Sequence, residues 1–127
     1  MNVFIDSNIW LSLYHFSNDD LEQFGKLQEL LGQGVTLFLP QQVIEEVGRN
    51  RENKIKDALN KFKFPKIQFP AFCKEYNEYE IFRQSYDVLQ EQYKTWLQLI
   101  KNDIDKRTLL ADITIRFFFS KRKNNFS

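Results

Sequence analysis

Val3-Phe4-Ile5-Asp6-Ser7-Asn8-Ile9-Trp10 decides the reading of the fold. Val-Phe-Ile is rich in strand-forming residues and continuously apolar, the pattern of a strand covered on both faces of a parallel sheet. Asp6, Ser7 and Asn8 break that strand, and each has a side chain able to cap a helix starting near Ile9. A second apolar run, Val35 to Leu39, is closed by Pro40 and predicts a second buried strand. Between them, Leu21 to Leu31 predict a helix with Phe24, Leu27, Leu30 and Leu31 on one face, stopped by Gly32 and Gly34. Gln41 to Phe62 predict a mostly helical segment with Val43, Ile44, Val47, Ile55, Ala58, Leu59 and Phe62 as candidate inward positions. A strand–helix–strand crossover favours a parallel sheet with helices on its faces, an α/β fold. Such sheets bind ligands at the carboxyl ends of their strands. Asp6 sits at one such end and Pro40 marks the other.

Beyond residue 62 the pattern changes. Phe64 to Phe72 contain Pro65 and Pro70, which predict a loop or crossing segment. From Cys73 to Leu110 the spacing predicts a long helix or a helical pair, with a break over Lys101 to Asp105. An aromatic ladder from Tyr76 to Trp96 recurs at steps of three or four, as on a helix–helix packing face. Leu109 to Phe119 are apolar enough for a last helix or strand. Phe62, Phe64, Phe69 and Phe72 are read as core in preference to base-stacking positions.

The chain has 127 residues with 43% hydrophobic and 16% aromatic content, which excludes a disordered segment and fits one domain. Its formal net charge of +1 says little about partners, but the distribution is uneven. Residues 1–48 carry seven acids against Lys26 alone, and residues 49–66 carry seven bases against Glu52 and Asp57. Such a basic run can contact nucleic-acid phosphates without reading sequence, or simply solvate a helix face. Cys73 has no cysteine to pair with, and no Cys/His set has zinc spacing. Neither a signal peptide nor a run of about 18 apolar residues is found. The expectation is a cytoplasmic protein without a membrane span. Glycine-rich phosphate loops and nucleophile elbows are also missing.

The chemistry lies in carboxylates. Asp6 either caps the helix that follows or points into the crevice above the sheet. Glu46 lies one i+3 step from Val43 and so at the margin of the buried helix face, whereas Glu45 is rotated about 100° toward solvent. The alternative is two acids on a wet helix surface. Two strand-end carboxylates suit a hard divalent cation, which wants oxygen ligands and can activate water against a phosphodiester.

With this order of motifs, Val3 to Trp10 followed by helix, strand and Leu39-Pro40-Gln41-Gln42-Val43-Ile44-Glu45-Glu46-Val47, the chain resembles the opening of a PIN domain. Arg49-Asn50-Arg51 resembles a bacterial PIN-like group with a long helical insertion. The likeness is good over residues 1–53 and looser over 54–112. It implies a Mg²⁺- or Mn²⁺-dependent ribonuclease with Asp6 and Glu46 as catalytic metal ligands and Ser7 and Asn8 in support. Ser7 would hydrogen-bond Asp6, and Asn8 would hold the loop or a bound water. The family needs further acids, and Asp112 in Leu110-Ala111-Asp112-Ile113-Thr114-Ile115 is the one placed to be a third ligand. In the insertion-bearing group, however, such a segment can precede the catalytic half, which would make Asp112 a surface acid.

The resemblance organises the chain as a single PIN-like domain over 1–127. Residues 1–53 are its strand/helix/strand/helix core, 54–110 the helical insertion and 111–127 a basic tail. That tail offers neither further strands nor the last acids, so the expectation is a domain truncated after its first half. Two functional readings follow. One is a ribonuclease hydrolysing single-stranded RNA through a metal-activated water, with Arg49, Arg51 and Lys54 on phosphates. The other is an inactive PIN-like module that binds RNA or an antitoxin-like protein. A two-stranded sheet would leave edges that a homodimer or a second polypeptide could cover.

Overall fold

The structure, a computed structural model, describes residues 1–15 and 18–121, with the side chains of residues 18–20 excepted. Residues 122–127 of the basic tail lie outside the described residues. The elements run β1 (Asn2–Phe4), α1 (Ser7–Leu11), a 3₁₀ turn (Ser12–Tyr14), α2 (Asn18–Leu30), β2 (Thr36–Phe38), α3 (Gln41–Lys61), a second 3₁₀ turn (Ala71–Glu75), α4 (Asn77–Lys106) and α5 (Leu110–Ser120). The chain divides into two compact units: Met1–Phe62 with the segment from Leu110 onward, and Lys63–Leu109.

In the first unit β1 and β2 pair in parallel, with Asn2, Val3 and Phe4 opposite Thr36, Leu37 and Phe38. The crossover between them runs through α1 and α2, as expected for an α/β fold. Gly34, at φ 88°, turns the chain from α2 into β2 in a conformation that a side chain would strain. Leu37 is buried and Val3 half-buried, so one face of the sheet packs on the core. The opposite face is open: Phe4 is 56% and Phe38 45% exposed, their rings 6.3 Å apart. The continuous apolar pattern of Val3 to Ile5 predicts cover on both faces, and among the described residues only one face has it.

Trp10 is completely buried and centres the core. Its ring packs on Phe24 of α2 at 4.8 Å and on Phe118 and Phe119 of α5 at 5.6 and 5.2 Å. Its indole N–H donates to the Ile5 carbonyl at 3.1 Å, so the polar edge is satisfied where the apolar ring is buried. Val43, Val47 and Ile55 bury one stripe of α3 at i,i+4 spacing. The fourth buried member of that stripe is Arg51.

In the second unit α4 runs unbroken through Lys101–Asp105 and stops where Arg107 turns into the left-handed region at φ 58°. Thr108 closes that end, its amide donating to the Asp103 carbonyl and its hydroxyl to the Asp103 carboxylate. The aromatic ladder packs on the extended segment before it, not on a second helix. Phe64 meets Tyr86 and Tyr93 at 5.0 and 5.5 Å, Phe69 meets Tyr79 at 5.2 Å, and the Tyr86 hydroxyl donates to the Pro65 carbonyl. Pro65 and Pro70 keep this segment extended, which leaves its phenylalanines free to lie along the helix.

Candidate metal site at the carboxyl ends of the strands

Asp6 follows β1 after Ile5 and occupies the N-cap position of α1. Its backbone carbonyl accepts the amides of Ile9 and Trp10 at 3.0 and 3.3 Å. Its side chain makes no capping bond and is exposed. The backbone alone therefore starts the helix, and the carboxylate remains available to a ligand.

Ser7 is buried beside it, and its hydroxyl donates to Glu46 Oε2 at 2.6 Å across 39 residues of sequence. That bond joins the loop after β1 to the second turn of α3, which begins just past Pro40 at the end of β2. Both carboxylates thus belong to the carboxyl-end side of the parallel pair. Gln42 donates to the other Glu46 oxygen at 3.2 Å, one helical turn back. Asn50 donates to the Glu46 carbonyl at 2.8 Å. Each Glu46 oxygen then still has an acceptor site, because an ionised carboxylate offers about four in all. Glu46 is half-buried, fixed and able to accept more; Asn8 lies exposed on α1.

Asp112 lies in the first turn of α5, buried, in a different arrangement. Arg51 grips it in a fork, Nε to Oδ1 at 2.7 Å and Nη2 to Oδ2 at 2.8 Å. The Tyr14 hydroxyl donates to the same Oδ1 at 2.5 Å. Arg51 also reaches Glu52 through Nη1 at 2.5 Å, and its guanidinium lies 5.8 Å from the centre of the Tyr14 ring. Burial, and then the acceptor Asp112, hold the Tyr14 phenol far above its ordinary range. The hydrogen bonds to Asp112, ahead of the opposing effect of burial, hold the Arg51 guanidinium firmly in its charged form. Among the described residues no buried side-chain nitrogen or oxygen lacks a partner.

The structure therefore sorts the sequence candidates into two sets. Ser7 and Glu46 meet at one place, and Asp6 precedes Ser7 in the chain; Ser7 bonds Glu46 and not Asp6. Asp112 and Arg51 meet at another, locked to each other. Arg51 is 3% exposed, so its guanidinium is not presented to solvent as Arg49 is, while Lys54 is half-buried. Gln42 and Tyr14 are participants that sequence reasoning missed. Gln42 could have been found from its i,i+4 spacing to Glu46. Arg51 had a signal too, since it continues the four-residue steps of Val43 and Val47. Among the described residues, no group of three or more acids, histidines or cysteines is placed to hold a metal ion. Two carboxylates still match the commonest protein share of a Mg²⁺ site, which leaves the remaining positions to water and substrate phosphate. A hollow lined by Gln28, Leu31, Val35 and Phe117 among others lies at the opposite, amino end of β2.

A parallel strand pair with a crossover, and an acid two residues past the first strand, mark an α/β domain. The PIN domain family profile matches residues 3–125, and the chain belongs to that family. PIN domains are generally nucleases that use divalent metals. No curated protein and no solved structure matches the chain. Among the described residues no helix is long and apolar enough to cross a membrane.

Proposed function

We propose that the chain is a metal-dependent ribonuclease in which Asp6 and Glu46 hold Mg²⁺ or Mn²⁺. The observation that carries this reading is the Ser7–Glu46 bond, which ties the two acid-bearing segments together beside an Asp6 carboxylate that no cap consumes. A divalent cation bound there supplies water activation and neutralises charge on the scissile phosphate. The chain's own part is to orient. Ser7 and Gln42 fix the Glu46 carboxylate, and the short α1 fixes the backbone of Asp6. Arg49, exposed on the outer side of α3, offers a phosphate contact with salt-sensitive and sequence-blind affinity, and the half-buried Lys54 would reach a phosphate only from the margin of the buried stripe. Asp112 anchors α5, and a ligand role for it would require release from both Arg51 and Tyr14. Cleavage of single-stranded RNA in Mn²⁺, compared between wild type and Asp6→Asn, tests the proposal. Loss of cleavage in the variant supports it; equal cleavage refutes it.

A second reading rests on the locked Asp112. With Asp6 and Glu46 as its two candidate ligands and no group of three among the described residues, the domain would bind RNA or an antitoxin-like protein without cutting. Under that reading RNA is retained in a salt-dependent manner with no product formed in Mg²⁺ or Mn²⁺.

A further inference from the structure

Two polar links join the segment that follows Asp6 to the helix that carries Glu46. One is the Ser7 hydroxyl on Glu46 Oε2 at 2.6 Å. The other lies past the end of α1. There the 3₁₀ turn carries Tyr14, whose hydroxyl donates to Asp112 Oδ1 at 2.5 Å, and Arg51 of α3 grips both oxygens of the same carboxylate. Arg51 follows Glu46 by five residues, so the two attachment points lie about 7.5 Å apart along α3 at about 1.5 Å per residue. α1 and the turn both pack on α3, and their other buried side chains, Trp10, Leu11 and Leu13, are apolar. Apolar burial has no direction of its own. A single polar link leaves a pivot; two links at different heights fix how the segment crosses the helix.

We infer that Arg51, Asp112 and Tyr14 are positioning residues of the metal site: their network sets the crossing of α1 on α3, and through it the separation of Asp6 from Glu46. The inference rests on the metal reading of those two carboxylates. Stability does not ask for charge at this place, because apolar residues of similar volume often replace a buried ion pair at no loss. What the fork of two parallel hydrogen bonds adds is a fixed geometry. Asp6 depends on such support. Its side chain makes no capping bond, so its place relative to Glu46 comes from the backbone of α1. The cation sets the tolerance. Mg²⁺ demands near-ideal octahedral geometry at short distance, whereas Ca²⁺ accepts longer and more variable coordination. A site whose two halves are held at two heights therefore favours the smaller ion, and loosening one link costs Mg²⁺ more than Ca²⁺.

Calorimetric titration of the full chain with Mg²⁺ and with Ca²⁺ tests this, alongside urea midpoints. Arg51→Met with Asp112→Leu removes the network while filling similar volume. Tyr14→Phe removes one link and keeps the fork. For the double variant the expected result is a retained fold and a Mg²⁺ affinity lowered about tenfold, the lower end of the effect of contacts that support metal ligands. Its Ca²⁺ affinity should stay within about threefold of wild type. Tyr14→Phe should shift the ratio of the two affinities in the same direction by a smaller factor. Loss of a ligand, as in Asp6→Asn, lowers both cations, so the ratio separates positioning from ligation. Wild-type Mg²⁺ affinity in the double variant, or an equal fall for both cations, would overturn the inference and leave the Asp6–Glu46 site standing. An unchanged ratio in Tyr14→Phe would overturn it even where the double variant fails to fold. No Mg²⁺ binding by the wild type would remove the site itself, and the inference with it.

Discussion

Asp112→Ala tests whether the buried ion pair holds the first unit together. Arg51 and Asp112 side chains are only 4% and 5% exposed, and two parallel hydrogen bonds join them. Removing the carboxylate leaves a buried guanidinium with Glu52 as an exposed substitute and leaves the Tyr14 hydroxyl without its acceptor. Breaking a buried pair from one side costs about 3–5 kcal/mol, and the Glu52 contact moves the expectation to the lower end, about 3 kcal/mol. The double change Arg51→Met with Asp112→Leu removes both charges and fills similar volume, so its expected cost is within about 1 kcal/mol of wild type. Urea unfolding followed by fluorescence in a Trp96→Phe background reads this directly, because Trp10 then reports the first unit alone. A loss of about 3 kcal/mol is a large share of the roughly 5–15 kcal/mol that stabilises a typical domain. The reasoning is refuted if Asp112→Ala costs less than about 0.5 kcal/mol, or if the double variant is as unstable as the single one. Should Asp112→Ala leave stability intact while removing Mn²⁺ affinity, Asp112 is a ligand and not an anchor.

Three further predictions follow from the same geometry. Ser7→Ala removes the bond that orients Glu46, and loss of such a supporting contact lowers metal affinity by about 10- to 100-fold; Mn²⁺ calorimetry measures it. Because the folded protein holds the Tyr14 proton more tightly than the unfolded chain, stability is undiminished below the ordinary tyrosine value of about 10 and falls as pH rises past it. Tyr14→Phe should flatten that alkaline decline in urea titrations at pH 8 to 11. Arg49→Ala should weaken RNA binding evenly across sequences and reduce the salt dependence by about one phosphate contact in filter binding at graded KCl, with no change in unfolding midpoint.

Much of the first unit was legible because it is local. Val3-Phe4-Ile5 and Val35 to Leu39 announce strands, Gly34 and Pro40 end elements, and the steps Val43, Val47, Ile55 announce the buried stripe of α3. The long-range features were harder. The Arg51–Asp112 pair spans 61 residues, and the basic run around Arg51 suggests a phosphate-binding face unless its place in the stripe is weighed. The continuity of α4 was obscured by the polar run Lys101–Asp105. Ile100 and Ile104 carry the tyrosine face through that run, and a left-handed residue at 107 ends the helix. The partner of the tyrosine ladder could not be read from periodicity, because the extended segment that covers it has none. At the candidate site, the sequence left Asp6 divided between cap and ligand. The structure shows a cap position whose side chain does not cap.

The central claim is that Asp6 and Glu46 form a metal site, and Mn²⁺ titration by calorimetry, wild type against Asp6→Asn, tests it most directly. Stoichiometric binding in the wild type that disappears in the variant is the predicted result. No binding in either protein, or equal binding in both, would contradict it.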